Sequence, residues 1–88
     1  MSIRQFEKEL RKLLKQNNYH CFESYGLYIE LPNDYMVEIL SGKHMNLWQD
    51  WNKHPANIHI IDRYENLKGL APEEAFAKIA EWKARVEP

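Results

Sequence analysis

The hydrophobic period of this chain changes twice, and each change marks a boundary between kinds of structure. Ile3, Phe6, Leu10, Leu13 and Leu14 recur at the three- and four-residue spacing of one helix face. From Tyr19 the period falls to two. Leu27, Ile29 and Leu31 alternate with Tyr28 and Glu30, and Tyr35, Val37 and Ile39 alternate with Met36, Glu38 and Leu40. From Pro72 the helical period returns, with Ala75, Phe76, Ile79, Trp82 and Val86 overlapping in a wide apolar stripe. A helix–strands–helix order excludes a helical bundle and an all-β sandwich.

Boundary residues agree with the periods. Ser2 followed by Gln5 is a capping-box pattern, and Asn17-Asn18 tolerates the left-handed conformation that stops a helix. These signals predict a helix over 3–16. Pro72 suits the first position of a helix, and Glu73 and Glu74 suit its positive end, so a second helix is predicted over 72–86. Tyr25-Gly26, Pro32-Asn33-Asp34 and Ser41-Gly42 are turn signals between short strands. Tyr19–Ser24 and the two alternating runs then form a three-stranded antiparallel meander.

Residues 43–57 carry no clear period. Leu47, Trp48 and Trp51 fit one helical turn, which Pro55 cannot extend. Ile58, Ile60 and Ile61 are β-prone and supply a candidate fourth strand, and residues 62–69 read as a connection ending at Gly69. The expected fold is therefore a small α+β domain over residues 1–88: helix, three-stranded antiparallel meander with a possible fourth strand, helix. Both helices should pack on one sheet face, because a meander needs its apolar side covered and they are the available lids. Phe22, Leu27, Ile29, Leu31, Val37 and Ile39 are expected to meet them. Cys21, Glu23, Tyr28, Glu30, Met36 and Glu38 are expected on the opposite face.

Composition narrows the class. Apolar residues make up 44% and aromatics 12% of the 88 residues, which suits a packed domain and not a disordered chain. No apolar run approaches the roughly 20 residues that span a bilayer. The first residues are charged and amphipathic, unlike a signal peptide. With one cysteine, Cys21, an internal disulfide is excluded and a reducing cytoplasm is expected. The net charge of −1 argues against a nucleic-acid binder. That charge is unevenly spread: residues 1–18 hold five basic and two acidic side chains, whereas residues 19–42 hold four acids and no Lys or Arg.

Chemistry-bearing residues do not converge. His54 and His59 have a zinc-like spacing, but Pro55 and a strand start intervene and no cysteine pair joins them, so no metal site is expected. His20 and Cys21 are adjacent and would point to opposite faces of a strand, which removes them as a nucleophile–base pair. The three glycines stand singly in turns, so no phosphate loop or other cofactor cradle is present in the pattern. The chain is expected not to be an enzyme and to need no cofactor.

The remaining unusual features are an acidic–aromatic sheet face and a pair of tryptophans. Tyr28, Glu30, Met36, Glu38, Trp48 and Trp51 are the expected protein-binding residues, since Trp and Tyr are enriched at binding hot spots. A basic partner surface would suit Glu30 and Glu38. The helix–meander–helix order resembles that of double-stranded-RNA-binding domains and of the small mRNA interferases of toxin–antitoxin systems. That resemblance in element order implies an RNA-binding or RNA-cleaving alternative, with the basic first helix contacting phosphates. A structural homodimer joined through exposed aromatics is the other alternative. The leading expectation is a cytoplasmic, non-enzymatic protein-interaction domain, such as an accessory or inhibitor protein of a phage or mobile element.

Overall fold

The computed structural model describes residues 2–40, 44–50, 58–67 and 69–87. Helix α1 (Ile3–Gln16) is followed by strands β1 (His20–Glu23), β2 (Leu27–Glu30), β3 (Tyr35–Leu40), β4 (His44–Asp50) and β5 (Ile58–Tyr64), then helix α2 (Pro72–Val86). The strands form one antiparallel sheet in chain order β1-β2-β3-β4-β5. The α+β class and the one-sided helix packing agree with the sequence pattern; the number of strands does not.

Both helices have the predicted bounds, and local chemistry explains why. Ser2 Oγ accepts the Gln5 backbone N–H at 3.1 Å, satisfying one of the free donors at the start of α1. The Gln5 side chain turns forward to Glu9 and leaves the capping box half formed. Asn18 adopts φ 66° just past the helix end, a conformation Asn tolerates. At α2, the Glu74 carboxylate accepts the Ala71 N–H at 3.1 Å. The Pro32–Tyr35 turn has left-handed dihedrals at Asn33 and Asp34 and a Tyr35 N–H to Pro32 carbonyl bond of 3.2 Å. This is the type I′ geometry that matches strand twist.

Two corrections concern the strands. The Leu47–Trp51 stretch is not a helical turn as far as it is described: His44–Asp50 is a strand, and Trp51 lies outside the described residues. Met45 and Leu47 point into the core while Asn46 and Trp48 point away, so the period is two. An outward Trp beside an inward Leu disguises that period as helical. The last strand also runs on to Tyr64, replacing the expected connection after Ile61.

The third correction concerns β1. Cys21 pairs with Ile29 and Phe22 with Tyr28, so Cys21 faces the helices and Phe22 faces away. Glu23 likewise lies on the helix side, where it meets Arg11. The loop of Ser24, Tyr25 and Gly26 sets this register, and one residue more or less would reverse every side chain of β1. Gly26 is required there: a Cβ on it would lie 2.3 Å from the Ile39 carbonyl oxygen.

The core lies between the sheet and the helices. Leu10 and Leu14 of α1 and Ala75, Ile79 and Trp82 of α2 are fully buried against Leu27, Ile29, Val37, Ile39, Met45 and Leu47. Leu13 is only half-buried. One polar tie fastens the far sheet edge to α2. Asp62 Oδ2 accepts the buried Trp82 indole N–H at 3.2 Å and an Arg85 N–H at 2.9 Å. It reaches the helix side through a β-bulge, because the pairing shifts from Leu47–Asp62 to Trp48–Ile60 and leaves Ile61 as the extra residue.

The Arg63 backbone N–H and the Arg85 guanidinium hold the Asp62 carboxyl below its ordinary value of 3.8. A depressed folded value means that the ionised form stabilises the fold; this contribution is present above the ordinary value and is lost as pH falls through the folded one. Asp62→Ala should therefore destabilise by about 1–3 kcal/mol at neutral pH, the cost of a buried N–H left without its partner. In urea denaturation the gap between wild type and variant should narrow below about pH 4. A gap that stays constant down to pH 3 would show that the Asp62 charge does not tie β5 to α2.

Candidate functional site

The two described helices lie on one side of the sheet. Strand alternation places His20 and Phe22 of β1, Tyr28 and Glu30 of β2, Met36, Glu38 and Leu40 of β3, His44, Asn46 and Trp48 of β4, and Ile60 and Arg63 of β5 on the other. Directly opposed residues form two rows across the strands. The first runs Phe22, Tyr28, Glu38, Asn46, Arg63; the second runs His20, Glu30, Met36, Trp48, Ile60.

The first row is a continuous polar ladder with an aromatic end. The Phe22 and Tyr28 rings stack at 5.2 Å, only 10° from parallel. Burial, together with a hydrogen bond to the Glu38 carboxylate, raises the Tyr28 phenol above its ordinary pKa and keeps it a donor. Asn46 Nδ2 donates to Glu38 Oε1 at 3.4 Å, and Asn46 Oδ1 accepts from Arg63 Nε at 2.8 Å. Asn46 is 3% exposed, so this amide is the buried centre of the ladder.

The second row is polar at one end and apolar at the other. His20 Nε2 lies 3.8 Å from Glu30 Oε2, with both side chains exposed. Met36, Trp48 and Ile60 follow, and Ile60 remains 49% exposed. Among the described residues, four large hydrophobic side chains are exposed: Phe22 and Ile60 lie on this face, and Ile3 and Tyr25 lie elsewhere.

Tyr28, Glu30, Met36, Glu38 and Trp48 thus share one surface, as the strand period requires. The sixth expected binding residue, Trp51, lies outside the described residues. Phe22, Asn46, Ile60 and Arg63 belong to the same surface and were not anticipated. Their membership depends on cross-strand register, which no single segment of sequence displays; the nearest signal was the β-prone Ile58–Ile61 run.

The chemistry-bearing side chains are spread over both faces of the sheet. Cys21 is on the opposite side of the sheet, partly buried against the core. Among the described residues, no three His, Cys, Asp or Glu side chains gather closely enough to hold a metal ion. No described helix is long and apolar enough to cross a membrane. Comparison with known proteins offers no relative: no family model, curated protein or solved structure matches the chain.

Asn46→Ala should cost about 1–2 kcal/mol in urea denaturation, since it cuts the ladder at its buried member. Asn46→Asp removes the amide donor to Glu38 and sets a second carboxylate opposite it, a repulsion that the Arg63 guanidinium only partly offsets. Its deficit should be larger at pH 7 than near pH 4, and that of Asn46→Ala should not change in the same way. Equal, pH-independent losses in both variants would show that the ladder is not an electrostatic unit.

Proposed function

We propose that this protein is a non-enzymatic interaction domain that binds another protein through the helix-free face of its sheet. The observation that supports this most is the largely apolar surface of Phe22, Tyr28, Met36, Trp48 and Ile60, which crosses all five strands with Phe22 and Ile60 exposed and the other three half-buried. Such a surface costs free energy when solvated and releases it when a partner covers it. Aromatic side chains give large contact area for little lost rotamer freedom, which suits Phe22, Tyr28 and Trp48 as anchors.

The charges suggest the partner. Among the described side chains, Glu30 and Glu38 are carboxylates of this face, and the Arg63 guanidinium is held by Asn46. A partner with a basic surface would meet the two acids and would be repelled less than an acidic one. Their main effect would be on association rate and its salt dependence. The face is a better docking surface than the sheet edges. Strand β1 has four residues, and the bulge at Ile61 interrupts β5, so neither edge offers a long regular strand for pairing. A cytoplasmic accessory or inhibitor protein, of the kind phages and mobile elements carry, fits a domain with this single function.

The test is quantitative affinity capture from the native host with three forms of the protein. A partner retained by wild type should be lost from Trp48→Ala/Ile60→Ala and kept by Lys8→Glu/Lys12→Glu, which alters only α1. Circular dichroism should show all three folded. In a separate rate measurement with the captured partner, Glu30→Lys, which leaves the ladder intact, should slow association and flatten its salt dependence. A partner retained equally by every variant would contradict the assignment. Light scattering separates the homodimer: a wild-type dimer that Trp48→Ala/Ile60→Ala dissociates would make the partner a second copy.

A further inference from the structure

The other two exposed hydrophobic side chains mark a second surface. Ile3 is 54% and Tyr25 94% exposed, and both line an open groove of about 1000 Å³ between α1 and the β1–β2 turn. The α1 wall carries Arg4, Lys8, Lys12 and Lys15. Among the described residues none of these four has an ion-pair partner. Arg11 is different, since it bonds Glu23 at 2.6 Å and so fixes the distance between the two walls. Glu7 is the remaining acid; burial, then the Glu23 carboxylate, raises its pKa, while Arg11 lowers it.

We infer that this groove binds an extended acidic segment of a protein, with carboxylates at alternate positions and an apolar residue at one end. Four-residue steps along α1 place Arg4, Lys8 and Lys12 about 6 Å apart. Alternate residues of an extended peptide project to one side at about 6.6 Å intervals, so successive carboxylates stay in step with successive cations. From Arg4 to Lys15 the cationic stripe is about 16 Å long, which five or six extended residues would cover. Ile3 and Tyr25 offer apolar contact for the uncharged end of the segment.

The same stripe would attract phosphates, and two features favour the peptide. Glu7 and Glu23 stand within the groove with Ile3 and Tyr25, positions that a peptide can meet with an uncharged residue and a phosphate backbone cannot. The net charge of −1 also provides little steering of a long polyanion. A short segment ends within the groove. This site is independent of the helix-free sheet face and takes a different ligand.

The experiment is fluorescence anisotropy with a labelled peptide of about ten residues, in which Glu and Ser alternate and one end is Leu. It should bind saturably near 100 µM or tighter at about 50 mM salt and weaken severalfold at about 150 mM. Lys8→Glu/Lys12→Glu should weaken it at least tenfold, and Tyr25→Ala should weaken it about threefold. Lys8, Lys12 and Tyr25 are exposed, so these variants should keep the wild-type circular dichroism spectrum. Trp48→Ala/Ile60→Ala should bind the peptide as wild type does. A peptide with Gln in place of Glu should not bind. Equal binding of the Gln peptide, no loss in the charge-reversed variant, or tighter binding of a deoxythymidine decamer than of the Glu peptide would overturn the inference.

Discussion

Two helices can cover one side of a five-stranded sheet, and this constraint orders everything else in the molecule. Leu10, Leu14, Ala75, Ile79 and Trp82 close the inner face so completely that none has measurable exposure. The inner-facing Leu27, Ile29, Val37, Ile39, Met45 and Leu47 are sealed with them. Burying a Leu or Ile side chain contributes roughly 1.5–3 kcal/mol, so this face supplies most of the stability of a small domain. The outer face receives no such cover from the described helices, and its chemistry has to serve both solubility and contact.

The polar ladder reconciles those demands. Tyr28, Glu38, Asn46 and Arg63 occupy successive opposed positions on four strands, and hydrogen bonds join neighbours along the row. They pin strand register from the outer side, where the core cannot do so. They also divide the apolar surface into the stacked Phe22–Tyr28 end and the Met36–Trp48–Ile60 stretch. Large unbroken apolar surfaces promote aggregation; a divided one with a fixed polar centre is more selective about what it meets. The two candidate surfaces carry opposite charge, because the basic side chains of the first segment stay on α1 while Glu30 and Glu38 of the second project from the free face of the sheet.

Much of this was legible in the sequence. The helix bounds, the faces of β2 and β3, and the shared surface of Tyr28, Glu30, Met36 and Glu38 all follow from local period and capping. What was not legible depends on distance or on single-residue offsets. Phe22 was expected in the core, but a three-residue loop fixes its parity and turns it outward. Strand β4 was obscured by Trp48, an outward residue as hydrophobic as the inward Leu47 beside it. Asn46 and Arg63 are seventeen residues apart and unremarkable in sequence, and only register makes them partners. The charge run of α1 was evident, whereas the opposing Tyr25 wall was not, since a turn residue gives no sign of which helix it faces.

One face of the sheet is sealed under the two described helices, and the other is free of them. Solvent paramagnetic relaxation of isoleucine methyl groups tests it on the isolated protein, without a partner. Ile29, Ile39 and Ile79, buried under the helices, should be protected from a soluble paramagnetic agent. Ile60 should relax nearly as fast as Ile3, because the two are 49% and 54% exposed. An Ile60 methyl in the monomer as protected as that of Ile29 would contradict the account, for the outer face would then be a second core and not a binding surface.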